Sequence, residues 1–175
     1  MKKNYYCLYL LIGLVFSSQA QENQENITKQ DNISKNAIGL RIGNNHGIGV
    51  EISYQKKLLT KNRLELDLGF TNDNNTDAIK LSGIYQWYWN IEKELDWYTG
   101  FGGGLGYWNT DDNYNNGYGS DNGIFAVING DVGIEYNFQE TPIQLAMDLR
   151  PEFVFNNYEK NDFGLNLGLA IRYKF

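Results

Sequence analysis

Large apolar residues recur at every second position over most of this chain. The last run is the clearest. In FGLNLGLAIRYKF, Phe163, Leu165, Leu167, Leu169, Ile171, Tyr173 and Phe175 alternate with Gly164, Asn166, Gly168, Ala170, Arg172 and Lys174. Residues two apart in a strand share a face, so this spacing predicts a strand with one apolar and one polar or small face. Seven earlier stretches repeat the pattern. AIGLRIG carries Ile38, Leu40 and Ile42, and IGVEISYQ carries Ile48, Val50, Ile52 and Tyr54. RLELDLGF carries Leu64, Leu66, Leu68 and Phe70, and AIKLSGIYQWYW carries Ile79, Leu81, Tyr85, Trp87 and Trp89. LDWYTGFGGGLGYW, GIFAVINGDVGIEYNF and IQLAMDLRPEFVF complete the set. No stretch sustains a 3.6-residue period, which disfavours a helical domain.

The runs between these stretches are of two kinds. NNH, TNDNNTD, TDDNYNNGYGSDN and NNYEKND follow the odd strands and are mostly rich in Asn, Asp and Gly. KKLLTKN, IEKE and QETP follow the even strands and are mostly shorter. Strands of about ten residues, an even strand count and two classes of loop predict an all-β fold: an eight-stranded antiparallel up-and-down transmembrane β-barrel. Both termini are then expected in the periplasm, with loops near residues 44–46, 71–77, 109–122 and 156–162 outside.

The two faces differ in what they can touch. One is aliphatic and aromatic. The other carries Arg41, Glu51, Glu65, Asp67, Lys80, Asp131, Glu135, Asp148, Arg150, Glu152, Arg172 and Lys174. An eight-stranded barrel is only wide enough inside to be filled by side chains. Bulky apolar residues from eight strands would overfill it, as a soluble barrel such as a lipocalin would require. Paired charges can fill a polar lumen, whereas isolated charges do not belong in hydrocarbon. The pattern therefore predicts apolar outside and charged inside, with five cations against seven anions forming a hydrogen-bonded plug. Gly100, Gly102, Gly104 and Gly106 of the fifth strand are read as room for long Arg and Lys side chains from across the lumen. Aromatic residues gather near strand ends, as in interfacial girdles. Pro151 cannot donate to a ladder, so a bulge or a break in pairing is expected at Arg150–Glu152, with a possible change of face at Phe153 and Phe155.

The N-terminus departs from this pattern. Lys2 and Lys3 precede ten apolar residues, CLYLLIGLVF, and then SSQA. A spanning helix needs about 20 apolar residues, whereas this layout fits a secretory signal peptide over residues 1–20, cleaved between Ala20 and Gln21. Residues 21–36, QENQENITKQDNISKN, read as a flexible periplasmic tail, and 37–175 as the barrel. NIT and NIS match a glycosylation pattern too common to carry weight. Cys7, the single cysteine, lies in the segment to be removed, so no thiol chemistry or disulfide is expected in the mature chain. A net charge of −6 argues against nucleic acid as a partner.

Together, the signal peptide, the eight alternating strands, the DLRPEF stretch (Asp148–Phe153) and the final IRYKF resemble the small outer-membrane β-barrel family of Gram-negative bacteria, in the form common in Bacteroidetes. The resemblance covers about 140 residues, the whole chain after the tail. It implies location in the cell outer membrane, among lipid and lipopolysaccharide. It also implies that Tyr173 and Phe175, in the closing strand, form the signal read by the barrel-assembly machinery.

Chemistry is scarce on the pattern. His46 is the single histidine, in the first loop, and a catalytic site would also need a nucleophile and an orienting acid within reach. Ser53, Ser82 and Ser120 are the candidates, and no local motif of lipid A-modifying barrel enzymes matches. Asp111, Asn113 and Asn115 have alternating oxygen-ligand spacing, but Gly117 falls one position late for a calcium loop and no closing Glu follows. GFGGGLG has neither the lysine nor the following helix of a phosphate loop. No catalytic residue, metal or cofactor is expected. The reading is a monomeric, non-enzymatic outer-membrane barrel with a structural or loop-mediated role, its extracellular partner unspecified. A small-solute or hydrophobic-molecule channel is the alternative, and a lipid-modifying enzyme comes third.

Overall fold

The computed structural model describes residues 35–44, 48–73, 76–110, 121–156 and 162–175. They form eight strands: β1 (Asn36–Asn44), β2 (Ile48–Lys57), β3 (Asn62–Asp73), β4 (Thr76–Glu92), β5 (Leu95–Thr110), β6 (Asp121–Asn137), β7 (Ile143–Asn156) and β8 (Asp162–Lys174). Each pairs with its sequence neighbours, and β1 pairs antiparallel with β8, closing the barrel. Closure runs from Asn44 opposite Leu167 to Ala37 opposite Lys174. Beyond that rung Asn36 N donates to Phe175 O at 3.0 Å and Phe175 N to Asn36 O at 2.9 Å. The first strand thus begins at Asn36, and the last residue is itself part of the closing ladder.

The alternation sorts residues as the pattern predicts. On β8, Leu165 and Leu169 are 58% and 62% exposed, as is Phe175 just beyond it at 55%, while Asn166 and Arg172 are buried. Six apolar residues among those described are buried: Ala37, Ile84, Tyr98, Val127, Ala146 and Ala170. Eighteen polar or charged residues are buried with them. A water-soluble barrel has the reverse distribution. A polar core beneath a continuous apolar outer band fits a barrel whose solvent is hydrocarbon.

Pairing extends further than polarity suggests. Asn72 lies opposite Asp77 and Asp73 opposite Thr76, so the seven-residue loop expected at 71–77 contracts to residues 74–75. In the same way β5 runs to Thr110 and β6 starts at Asp121. Backbone pairing needs no apolar side chains, so Asn, Asp and Thr continue the ladder where the apolar band stops. The 16 to 17 residues of β4, β5 and β6 exceed the roughly 9–11 that cross a bilayer. At the other end, where β1 begins and β8 ends, Lys93 adopts φ 24° between β4 and β5, and β4–β5 pairing slips between Asn90 and Glu92. Aromatic rings cluster at this turn end: Trp89 stacks on Trp97 at 4.5 Å, and Tyr136 meets Phe138 edge-on at 4.9 Å. Phe153 and Phe163 meet at 4.9 Å toward the opposite, loop end.

Two expectations are corrected, the first in part. The break in pairing expected at Arg150–Glu152 is found, on the β6 side alone, while the bulge and the change of face are not. Pairing of β7 with β8 is continuous through Pro151 opposite Leu165. Pairing with β6 skips Gly130–Asp131 and resumes in the same register at Val132–Leu149. The missing donor therefore faces β6, where Gly130 gives the ring room: a Cβ there would lie 3.1 Å from Pro151 Cγ. Phe153 and Phe155 keep their outward face. The glycine ladder is the second correction. A Cβ on Gly102 would strike the Gly83 carbonyl, and one on Gly104 would lie 2.9 Å from Ser82 Cα. These glycines permit close approach of the β4 backbone rather than make room for side chains from across the lumen. The glycines that do make room for a guanidinium are Gly43 and Gly168, beside Arg41.

Candidate functional site

The chemistry of the described residues lies in the lumen. It rises in tiers from the turn end to the loop end. At the turn-end rim Lys174 donates to Asn137 Oδ1 and the Phe138 carbonyl, both at 3.4 Å. It stands apart from the main ion-pair network with which its parity grouped it. Above it Arg63 binds Glu135 at 2.7 Å and donates from Nε to Gln86 Oε1 at 2.5 Å. Its guanidinium lies over the ring of fully buried Tyr98, 4.7 Å from the centroid.

Glu65 organises the next tier. Its carboxylate accepts from Ser53 Oγ (3.2 Å), Gln55 Nε2 (2.7 Å), Gln86 Nε2 (2.9 Å), Arg150 Nη2 (2.6 Å) and Arg172 Nη2 (2.8 Å). Those donors come from β2, β4, β7 and β8, so one carboxylate ties strands across the lumen. Arg150 sits at the centre. Besides Glu65 it binds Asp67 at 2.7 Å, and Glu51, Asp131 and Asp148 lie 3.5–3.6 Å away. Gln86 adds a 2.5 Å bond to Asp131.

Arg41 belongs to the tier above. Its Nη1 meets Glu51 at 3.0 Å, its Nε and Nη2 hold Asp148, and Nη2 also donates to Asn166 Oδ1 at 3.2 Å. Lys80 is uppermost, 2.9 Å from Glu152 and 3.7 Å from Glu51. A buried charge is tolerated when it is paired, and direct guanidinium–carboxylate contacts pair these, with Asp148 held by two nitrogens of Arg41. The tiers leave the lumen filled by side chains from Arg63 up to Lys80.

Above Lys80 the lumen opens into a cavity of about 360 Å³. Its lining includes Glu51, Lys80 and Glu152, the apolar side chains of Phe125, Val127 and Val154, and the glycine backbone of β1, β2 and β3.

Of the twelve charges assigned inward, eleven meet in this network and Lys174 is at its edge. Arg63 was missed. It opens the RLELDLGF stretch and shares parity with Glu65 and Asp67, yet it is absent from the charges assigned inward. Ile84 and Tyr98 also face inward, against the expectation that large apolar residues point out. Ser53 donates to Glu65 and accepts from Arg172 Nε at 3.0 Å, a bridging role with no base beside it. His46, Ser120, Asp111, Asn113, Asn115 and Gly117 lie outside the described residues, as do Ala20 and Gln21. Among the described residues no group of three or more His, Cys, Asp and Glu side chains is arranged to hold a metal.

No protein-family model and no curated protein matches the sequence. Solved structures do match in fold. The N-terminal β-barrel domain of OprF from Pseudomonas aeruginosa superposes with a TM-score of 0.56 at 17% identity, covering 81% of this chain and 99% of that one. Neisserial surface protein A superposes with a TM-score of 0.62 at 14% identity, covering 80% and 94%. The chain shares the fold of these eight-stranded transmembrane barrels.

Proposed function

We propose that this is a non-enzymatic integral outer-membrane protein whose lumen is closed by its own side chains, with a structural role or one exerted through its extracellular loops. The observation that carries the reading is the burial of Arg41, Arg150 and Arg172 among carboxylates from opposite walls. An aqueous pore keeps its charges hydrated, whereas these arginines are at most 1% exposed and are bonded directly to carboxylates. The apolar outer band and the likeness in fold to OprF and Neisserial surface protein A support the membrane location. The Bacteroidetes-type assignment rests on the sequence resemblance, the signal peptide cleaved at Ala20–Gln21 on the layout of residues 1–20, and the monomeric state belongs to the same proposal.

Two measurements test this reading. In planar bilayers the folded protein is expected to give no steady single-channel current; reproducible steps would replace the plug by the small-solute channel. In intact cells, protease is expected to cut within 109–122 and to spare 91–95. Cleavage at the Lys93–Glu94 turn instead would invert the orientation, which has both termini in the periplasm.

A further inference from the structure

The apolar outer face continues to the last residues of the turn end. Leu58, Ile91, Phe138 and Phe175, at the ends of four strands, are 46%, 56%, 38% and 55% exposed. Lys56 lies one outward position inside this rim, opposite Asn36 on β1 and Leu64 on β3. It is the one cation among the outward positions of the eight strands. Tyr54 precedes it on the same face and pairs with exposed Leu66. An ammonium set in an apolar band runs its stem along that band and carries its charge to the headgroup layer. The opposite charge available there is a lipid phosphate.

The turn that follows Lys56 has the same character. Lys57 and Lys61 bracket Leu58 and Leu59, and Lys35 is tied to the turn, its carbonyl accepting from Lys57 N at 2.8 Å. The ion pairs of the described residues use Arg41, Arg63, Lys80, Arg150 and Arg172, and none of these four lysines. Lys57 is turned to the Tyr88 ring, 6.0 Å from its centroid, which leaves Lys56 and Lys61 as the outer cations. The acids of this end stand in the other turns, Glu92 and Glu94 between β4 and β5 and Glu140 between β6 and β7. Positive charge is thus gathered at one place on the rim.

The turn is also braced. Leu58 N and Leu59 N donate to Asn62 O at 2.9 and 3.2 Å, and Tyr88 donates from N to Lys61 O at 3.0 Å and from its hydroxyl to Thr60 O at 2.9 Å. The bracing holds Leu59 66% exposed beside Leu58. Leucines flanked by cations match the boundary between headgroups and acyl chains, and a net positive turn selects headgroups with net negative charge.

We propose that the β2–β3 turn binds an anionic phospholipid of the periplasmic leaflet. Lys56 and Lys61 pair with its phosphate, Leu58 and Leu59 rest at the headgroup boundary, and its acyl chains run along Tyr54 and Leu66. The inference deepens the membrane reading above and rests on it.

The test places the folded full chain in phosphatidylcholine nanodiscs and adds phosphatidylglycerol in steps while leucine and isoleucine methyl resonances are followed. Leu58 and Leu59 are expected to shift saturably, half-complete below about one lipid in ten, since each lysine near an anionic surface supplies about fivefold preference. Ile91, beside Glu92, is the internal control and is expected to drift only in proportion to the lipid composition. Added salt is expected to raise the half-saturation point. Lys56→Gln and Lys61→Gln are each expected to weaken the preference about fivefold, and the double variant to lose saturation. Glycerol phosphate in the buffer, at the same phosphate concentration, is expected to leave Leu58 and Leu59 unmoved. Saturation that survives the double variant, equal saturation at Ile91, no response to salt, or an equal response to glycerol phosphate would overturn the proposal. Insertion into the nanodisc without any lipid preference would overturn it alone, whereas failure to insert would remove the membrane reading with it.

Discussion

Arg150→Ala is expected to destabilise the barrel by about 3–5 kcal/mol, the range found when one member of a buried ion pair is removed and its partner remains. The reason lies in what the guanidinium separates. Glu65 and Asp67 bond to it at 2.6 and 2.7 Å, and Glu51, Asp131 and Asp148 approach within 3.6 Å. Without Arg150 five carboxylates share a narrow, water-poor space with less positive charge between them. Glu65 keeps Arg172 at 2.8 Å, and Asp148 keeps Arg41. Asp67 depends on Arg150 for the hydrogen bond to its Oδ2, so it loses most. Asp67→Asn in the Arg150→Ala background is therefore expected to recover about 1–2 kcal/mol, while the same change alone destabilises. Urea unfolding in detergent, followed by the heat-modifiable shift on a gel, measures all three variants. Lys174→Ala, at the rim, is the comparison, with an expected change within about 1 kcal/mol. If Arg150→Ala unfolds like the wild type, water screens the lumen charges and the plug is wrong.

How far the fold could be read from the chain follows from what period two encodes. Alternation is local: each strand states its own inner and outer face, and the buried Arg172 between exposed Ile171 and Tyr173 follows from spacing alone. Partners across the lumen are not local. Arg41 and Asp148 are 107 residues apart, and their contact depends on the tilt and stagger of eight strands, which no single segment carries. The misreadings have the same origin. Arg63 has the inward parity of Glu65 and Asp67, but its partners Gln86 on β4 and Glu135 on β6 come to it only through the arrangement of the strands. Ile84 and Tyr98 break the binary rule beside glycines that leave them room: a Cβ on Gly100 would lie 3.1 Å from Ile84 Cγ2, and one on Gly133 would lie 2.5 Å from the Tyr98 ring. Pro151 does break a ladder, but only toward β6, and sequence does not say which neighbour loses the donor or that Gly130 gives the ring room.

Deleting Tyr173–Phe175 is expected to have the largest effect in cells, because it removes one element with two uses. The first is closure. Tyr173 pairs with Ile38 and with Ile143, and Lys174 pairs with Ala37 and donates from its backbone N to Pro142 O at 2.7 Å. Phe175 exchanges both backbone bonds with Asn36. A closed barrel has no free edge, and in lipid an unpaired backbone group has no water to replace its partner. At about 0.5–1.5 kcal/mol for each backbone bond lost, the reciprocal Asn36–Phe175 pair and the Lys174 bond alone are worth about 1.5–4.5 kcal/mol. The second use is the proposed recognition of the closing strand by the barrel-assembly machinery, through the exposed rings of Tyr173 and Phe175, which stack at 6.5 Å. Phe175→Ala separates the two uses, since it keeps the backbone rungs and removes only a ring. The deletion is expected to abolish heat-modifiable protein both in cell envelopes and after refolding into detergent. Phe175→Ala is expected to lower the amount in envelopes strongly while refolding close to wild type in detergent. Wild-type amounts of folded deletion protein in the envelope would remove both uses, and a Phe175→Ala defect equal in cells and in detergent would assign the terminal ring to stability alone.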